Sequence, residues 1–303
     1  MTQTARYIEA SPGRELIIPE DVALTLAPDL WKDVRVGCWA FGNDPMPRDL
    51  IRPNHYMRPV GANAIFKTGQ LGRGFSNASP TTTTSYWKYA KDGGGDETER
   101  IARMLDAQVA DLGFTIEILF EPETTGSQSL LTTSQHFSVY SGMDITMATN
   151  VFVNLGDGTG QLSSDRISSQ SNTQVEAGKV NYWAISMNSC TNENAWRHVL
   201  NHNESTGQNG ALGTGTTGVR YSGSATFNNL ALTVLGRSFI TNNFTGKLYG
   251  FNIIQRYMTH KELQDRNTRI LDMFTLAPTR ELFSTGFLNL RNTGPAPQAQ
   301  SLS

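Results

Sequence analysis

The last strong pattern in the chain constrains its fold more than any other. Thr245 to Gln255 alternates apolar and polar positions, as a strand with one buried face does. Thr259 then stands three residues before Glu262. That is the spacing of a capping box, in which a hydroxyl and a carboxylate satisfy backbone N–H groups at a helix start. Leu263, Ile270, Leu271 and Phe274 share one face of the helix this predicts over residues 259–274, and Pro278 lies beyond its end.

Upstream, the patterns are mostly those of strands. Val34 to Phe41, Ser85 to Ala90, Gln135 to Tyr140, Met143 to Val153, Val180 to Met187, Ala195 to Asn201 and Phe227 to Leu235 all read as extended. Phe114 to Phe120 sets Phe114, Ile116, Ile118 and Phe120 against Thr115, Glu117, Leu119 and Glu121, giving period two with one apolar face. Turn chemistry separates these runs at Gly156 to Gly158, at Asn192 to Asn194 and over Gly207 to Gly218. A second helix is predicted from Asp96 to Leu112, with Ile101, Met104, Leu105, Val109 and Leu112 on one face and Gly113 as its stop. No internal repeat is present. Many strands with turns between them imply a sandwich.

The 303 residues permit one large all-β domain with tails, or two ordinary domains. A formal charge of −2, with Lys and Arg scattered, gives no field for nucleic acid. No stretch reaches the ~20 apolar residues of a membrane-spanning helix. Residues 1–15 carry Arg6, Glu9, Arg14 and Glu15 and do not read as a signal peptide, so synthesis and folding in a cytoplasm are expected. The sequons at Asn77, Asn203 and Asn243 are then chance matches. Cys38 and Cys190 are far apart; Cys38, between Gly37 and Trp39, reads as a buried free thiol. Whether the two cysteines pair is left open by sequence.

Residues 1–30 form a leader broken by Pro12, Pro19 and Pro28, with too little apolar surface for a core of its own. Residues 276–303 form a polar tail rich in Pro, Gln and Ser towards its end. Tails of this kind are expected to become ordered against neighbouring subunits. The expected organisation is an N-terminal arm over residues 1–30, a sandwich over 31–275 and a C-terminal tail over 276–303.

Five segments carry a family resemblance. Val36 to Phe41 is an apolar run with Trp and Phe. Thr68 to Phe75 is a glycine-punctuated segment ending in Phe. Phe114 to Pro122 resembles an "F-T-I-x-x-W" strand, with Leu119 or Phe120 in the place of Trp. Gly178 to Met187 resembles a "G-x-W-x-H" strand without the His. Phe244 to Glu262 is the closing strand and helix start. In this order they resemble the laminin-G-like, concanavalin A-like jelly-roll domains over roughly residues 33–273. The resemblance implies an all-β, antiparallel β-sandwich with two peripheral helices and extended N- and C-terminal arms. Such domains occur in adhesion proteins, in glycan-binding modules and in tailed-bacteriophage virions.

No residue set reads as a catalytic centre. Glu117 and Glu121 share a strand face, but their Cα atoms would lie roughly 13 Å apart, too far for a retaining glycosidase pair. With Glu123 they are placed on a solvated outer face. His198 and His202 are spaced for a metal on a helix, but sit where a strand ends. Asp144, Asn154 and Asp157 could offer oxygens to calcium, yet Gly156 to Gly158 is more simply a turn. Tyr86, Trp87 and Tyr89 could stack on a sugar; core packing is the expectation for Trp87 and Tyr89, which share a face. Gly93 to Gly95 lacks the Lys-Ser/Thr of a phosphate loop and reads as a linker into a helix cap.

The functional expectation is a non-enzymatic structural protein of a bacteriophage virion, made in the host cytoplasm and assembled through its arms, as a capsid decoration or a neck or tail component. Its partners would be other virion proteins and copies of itself, with no nucleic acid and no membrane. The alternative is a glycan-binding adhesin or receptor-binding module of a phage tail, with a surface glycan as partner. A hydrolase is the third and least favoured reading. No catalytic, cofactor-binding or metal residues are assigned, and no cofactor is expected.

Overall fold

The structure, a computed structural model, describes residues 4–8, 15–19, 30–40, 44–80, 85–92, 113–132, 141–157, 167–168, 174–187, 194–201, 211–217, 232–236 and 242–275. In chain order the strands begin with β1 (Thr4–Ile8), β2 (Glu15–Pro19), β3 (Val34–Trp39), β4 (His55–Val60), β5 (Ala64–Gly69), β6 (Gly72–Asn77), β7 (Tyr86–Lys91) and β8 (Phe114–Glu121). They continue with β9 (Gln128–Thr132), β10 (Ser141–Met147), β11 (Val151–Asp157), β12 (Ile167–Ser168), β13 (Asn181–Met187) and β14 (Asn194–Leu200). The series closes with β15 (Ala211–Thr217), β16 (Thr233–Val234), β17 (Asn242–Asn243) and β18 (Lys247–Ile254), then helix α1 (His260–Thr275).

Two large sheets make the body. Sheet I runs β15-β14-β13-β8-β18-β6-β5, and β3 also pairs with β18. Sheet II runs β12-β11-β10-β9-β16-β7-β4, and β17 joins β9 as a parallel neighbour. Between the sheets lies a core of inward-facing side chains that includes Phe75, Trp87, Ile118, Phe120, Leu131 and Phe251. This is the all-β sandwich that the strand patterns imply. β18 is its keystone. One flank takes β8 from Thr115 to Glu121, and the other is divided, with Phe75 of β6 opposite Leu248 and β3 alongside Gly250 to Ile254. A Cβ on Gly250 would come within 2.3 Å of the Trp39 indole, so the β3–β18 contact needs glycine there.

A second apolar cluster lies on the outer face of sheet I. Leu30, Val34, Trp39, Leu119, Tyr182 and Tyr249 pack there with Met258, Leu263 and Ile270 of the α1 segment. Hence β8 and β18 are buried on both faces, not on one as their alternation suggests. The capping box forms as its spacing predicts: Thr259 N donates to Glu262 Oε2 (2.7 Å) and Glu262 N to Thr259 Oγ1 (3.3 Å). Glu262 also receives the Arg256 guanidinium.

Several expectations are revised. Residues 143–153 are not one strand but the hairpin β10–β11, closed by Ala148 N donating to Asn150 O (2.8 Å). Part of the glycine-rich 207–218 run is β15, paired along β14. The leader is not simply extended, since β1 and β2 form an antiparallel hairpin. The predicted helix over 96–112, the strand over 135–140 and the tail over 276–303 lie outside the described residues. Gly113 itself sits at φ +67°, a conformation that suits the residue after a helix.

Thr259→Ala removes the reciprocal cap. It is expected to cost about 1 kcal/mol in urea unfolding, with α1 the first element to lose hydrogen-exchange protection.

Candidate functional site

The carboxylates that suggest a glycosidase are sequestered, and their predicted solvated face is covered. Glu117 is 1% exposed. Arg266 of α1 grips it at both oxygens (Nε–Oε2 2.8 Å, Nη2–Oε1 2.6 Å), Tyr182 donates to Oε2 (2.8 Å) and Asn252 to Oε1 (2.5 Å). Asn252 in turn accepts from Trp39 Nε1 (3.0 Å). All four acceptor sites of the carboxylate are filled, which a buried charge requires. Burial works against the Arg266 charge, but the Glu117 carboxylate outweighs it and holds the guanidinium pKa above its ordinary value.

Glu121 is likewise engaged. It accepts Gln70 N (2.9 Å), Lys247 Nζ (3.0 Å) and the Tyr249 hydroxyl. Burial alone would raise its pKa; these donors instead hold the carboxyl below the usual range. They fasten the β5–β6 turn to β8 and β18. Only Glu123 is exposed, paired with Lys67 at 2.7 Å. A third buried carboxylate, Asp49, accepts from Gly37 N (3.1 Å), Ile51 N (2.8 Å), Arg52 N (3.2 Å) and Tyr89 Oη (2.5 Å). It pins the β3–β4 connection. Each of these groups is committed to structure.

The remaining candidates do not converge. His198 is buried at the register of Ile185, a residue of the inter-sheet core; His202 lies outside the described residues. Asp144 is buried opposite Asn154 in the β10–β11 ladder, and Asp157 stands three residues further along β11. Among the described residues no three His, Cys, Asp or Glu side chains are grouped to hold a metal ion. Cys38 is a buried free thiol, and Cys190 is outside the described residues. Asn77 and Asn243 are buried and donate to Leu235 O (2.5 Å) and Ser85 O (2.8 Å), so neither sequon is presented for glycosylation. Gly93 to Gly95 are not among the described residues.

Trp87 and Tyr89 point into the core as expected, and Tyr89 stacks on His55 at 5.2 Å. That alternation turns Tyr86 to the outer face of sheet II. There, on β4 and β7, three cross-strand pairs lie side by side: Tyr56 with Ala90, Arg58 with Lys88, and Val60 with Tyr86. Tyr56, Arg58, Val60 and Tyr86 are half-buried, and Lys88 is 7% exposed. The Arg48 guanidinium caps the Tyr56 ring at 5.9 Å and pairs with Asp92 at 2.6 Å. From Arg58 and Lys88 the same ladder row continues through Thr233 and Thr132 to Asp144. The outer face of sheet II thus carries a polar row, cationic at its β4 end; Arg58 is half-buried, while Lys88, Thr233, Thr132 and Asp144 are buried. Two tyrosine rings flank that cationic end. Aromatic faces beside charged hydrogen-bond donors can hold a polyhydroxylated ligand. Sequence reading missed Tyr56 and Arg58, although His-Tyr-Met-Arg-Pro-Val over 55–60 does set Tyr56, Arg58 and Val60 on one face.

No protein-family model matches the sequence, and no curated protein does. Solved structures do resemble the fold. The binding domain of botulinum neurotoxin DC, solved in complex with rat synaptotagmin II, superposes with a TM-score of 0.54 at 11% identity, over 82% of this chain and 54% of that one. The same domain in complex with SialylT gives 0.53 at 10% identity, over 82% and 53%. Domain 4 of an extracellular arabinanase from Geobacillus stearothermophilus, in complex with arabinotriose, gives 0.50 at 12% identity, over 78% of this chain and 98% of that domain. The chain spans about half the length of the neurotoxin chains it matches. These likenesses define a jelly-roll-like β-sandwich.

Two measurements follow from the buried charges. Arg266→Met leaves Glu117 without its counter-charge and is expected to destabilise by about 3–5 kcal/mol in urea unfolding; adding Glu117→Leu should restore much of this. Burial, and secondarily His260, pushes the His198 imidazole from 6.5 down to about 4. As pH falls, the unfolded chain therefore takes up the proton first. The stability that neutral His198 contributes is complete above pH 6.5 and is lost by about pH 4, up to about 3 kcal/mol. The raised carboxyl of Asp49 acts in the opposite sense, because its burial favours the protonated form. The informative quantity is therefore the difference in slope between wild type and His198→Gln, which should be less acid-sensitive from pH 6.5 to 4.

Proposed function

We propose that this chain is a non-catalytic, saccharide-binding module, laminin-G-like in ancestry, which engages its ligand at the β4–β7 border of sheet II. One observation carries the reading. Helix α1 and the Glu117–Arg266 pair close the outer face of sheet I, while the β4–β7 border of sheet II presents Tyr56, Arg58 and Tyr86 partly exposed. The fold neighbours support it, because one is a domain solved with arabinotriose and others are toxin binding domains. The sequestration of Glu117 and Glu121 argues against a hydrolase, which needs carboxylates open to substrate.

The phage-virion scaffold remains the second proposal. The β1–β2 hairpin favours it: among the described residues the hairpin joins neither large sheet, as an arm that docks on a neighbour would. Virion partners, self-association and a particle location belong to that proposal.

A glycan array probed with the full chain separates the two. Specific retention on a saccharide class, abolished by Tyr56→Ala/Tyr86→Ala with the melting temperature kept, is the expected result. An array without signal, together with self-assembly that is lost when residues 1–30 are deleted, would move the assignment to the scaffold.

A further inference from the structure

We propose that the Asp44–Pro45 peptide bond is a self-cleavage site, cut in the folded protein in mild acid. This goes beyond the saccharide-binding and scaffold readings and depends on neither. It is the one Asp–Pro pair in the sequence. Such a bond is chemically weak for two reasons. A carboxyl one methylene away from its own residue's backbone can close a five-membered ring on the peptide carbonyl, and an intramolecular attack of this kind has a high effective concentration. A proline nitrogen belongs to a tertiary amide, and it leaves more readily than a secondary amide nitrogen once it takes a proton.

The fold strengthens both. Asp44 Oδ1 accepts Met46 N–H (2.8 Å), and the ring that this bond closes contains the Asp44–Pro45 peptide itself. The carboxyl is thereby folded back along the bond it attacks. From β6, Arg73 Nη1 donates to the Asp44 main-chain oxygen (2.7 Å). Negative charge builds on that oxygen when the carbonyl carbon is attacked, and a charged donor already in place there lowers the barrier. The donor is itself anchored, because the Arg73 guanidinium lies over the Phe66 ring at 3.2 Å. Burial raises the Asp44 pKa, against the opposing pull of Met46 N–H, Arg48 and Arg73. The carboxyl therefore keeps its proton to higher pH than an open Asp does, and the leaving nitrogen needs that proton. Pro45 is exposed, so water reaches the bond.

The atoms balance with water as the co-reactant. A carboxyl oxygen of Asp44 bonds to the Asp44 carbonyl carbon, the bond from that carbon to Pro45 N breaks, and the acid proton passes to the nitrogen. The products are a cyclic anhydride on residue 44 and a free amine on Pro45; water then opens the anhydride to two carboxyl groups. The cut divides the chain into residues 1–44 and 45–303, but the pieces stay together. β3 remains paired with β18, Ala40 N donates to Tyr249 O (2.8 Å), and Gly37 both donates to Asp49 Oδ1 (3.1 Å) and accepts from Leu50 N (2.8 Å). The result is a nicked sandwich in which the β1–β2 hairpin and β3 belong to a separate polypeptide held without a covalent link.

The test is intact-mass analysis of the purified full chain held at about pH 5, folded or in urea, over several days. Fragments ending at Asp44 and beginning at Pro45 should accumulate about tenfold or more faster in the folded protein than in urea. Asp44→Asn should abolish the cut. Pro45→Ala, at an exposed position, should slow it by about tenfold or more, because it restores an ordinary amide as the leaving group. Arg73→Gln should bring the folded rate down to that of the unfolded chain, which a merely reactive dipeptide would not show. If Arg73→Gln fails to fold, Arg73→Lys serves: it keeps the charge, moves the donor, and should slow the cut severalfold. Equal rates in the folded and unfolded chain, or a rate indifferent to the Arg73 substitution, reduce this to an ordinary acid-labile bond and overturn the proposal. A chain that stays intact overturns it, and so does a cut that survives Asp44→Asn, which a contaminating protease would make.

Discussion

The ion pair between Glu117 and Arg266 organises one whole side of the molecule. A carboxylate at the centre of β8 would be intolerable under a hydrophobic helix unless every lone pair were met. Arg266, Tyr182 and Asn252 meet them, drawing donors from α1, β13 and β18. The pair therefore does more than balance charge. It fixes which face of α1 looks at the sheet and where along β8 the helix sits, while Leu263 and Ile270 provide the apolar burial around it.

Sheet II differs in character. Its inner row, from Trp87 through Val234, Leu131 and Ile145 to Val153, is apolar, and the row behind it is polar. Alternation keeps the two sets apart, and the polar row is itself buried at Lys88, Thr233, Thr132 and Asp144. Charge is also separated along the polar row, cations at the β4 border and Asp144 well inside.

What the sequence revealed divides along the same line. All five segments that resemble the laminin-G-like pattern fall on β3, the β5–β6 turn, β8, β13, and β18 with α1, which belong to sheet I and its helix. Long apolar alternation and a capping box are local signals, so they could be read directly. Sheet II gave weaker ones. β4 contains Pro59, which argues against a strand until its edge position is known, and β9 is a short Gln-Ser-Leu-Leu-Thr run. Alternation also misplaced Glu117 and Glu121 in water. The residue that buries Glu117 lies 149 positions later, beyond any periodicity argument. The tyrosine–arginine border was visible only in part: Tyr86 drew notice, but its companions on β4 become neighbours through a pairing that sequence does not announce.

The divided flank of β18 has a consequence for biosynthesis. Among the described residues, 247–254 follow every other strand, yet they separate β8 from both β3 and β6. Emerging from the ribosome, β5 can pair with β6, and β8 with β13, β14 and β15, but nothing joins these two groups, or β3, until this segment arrives. Until then the β8 edge that β18 will cover stays open, which is the situation in which wrong pairings form and chaperones are recruited. Sheet I thus closes only after residues 247–254 have been made, with β18 as the wedge that locks it.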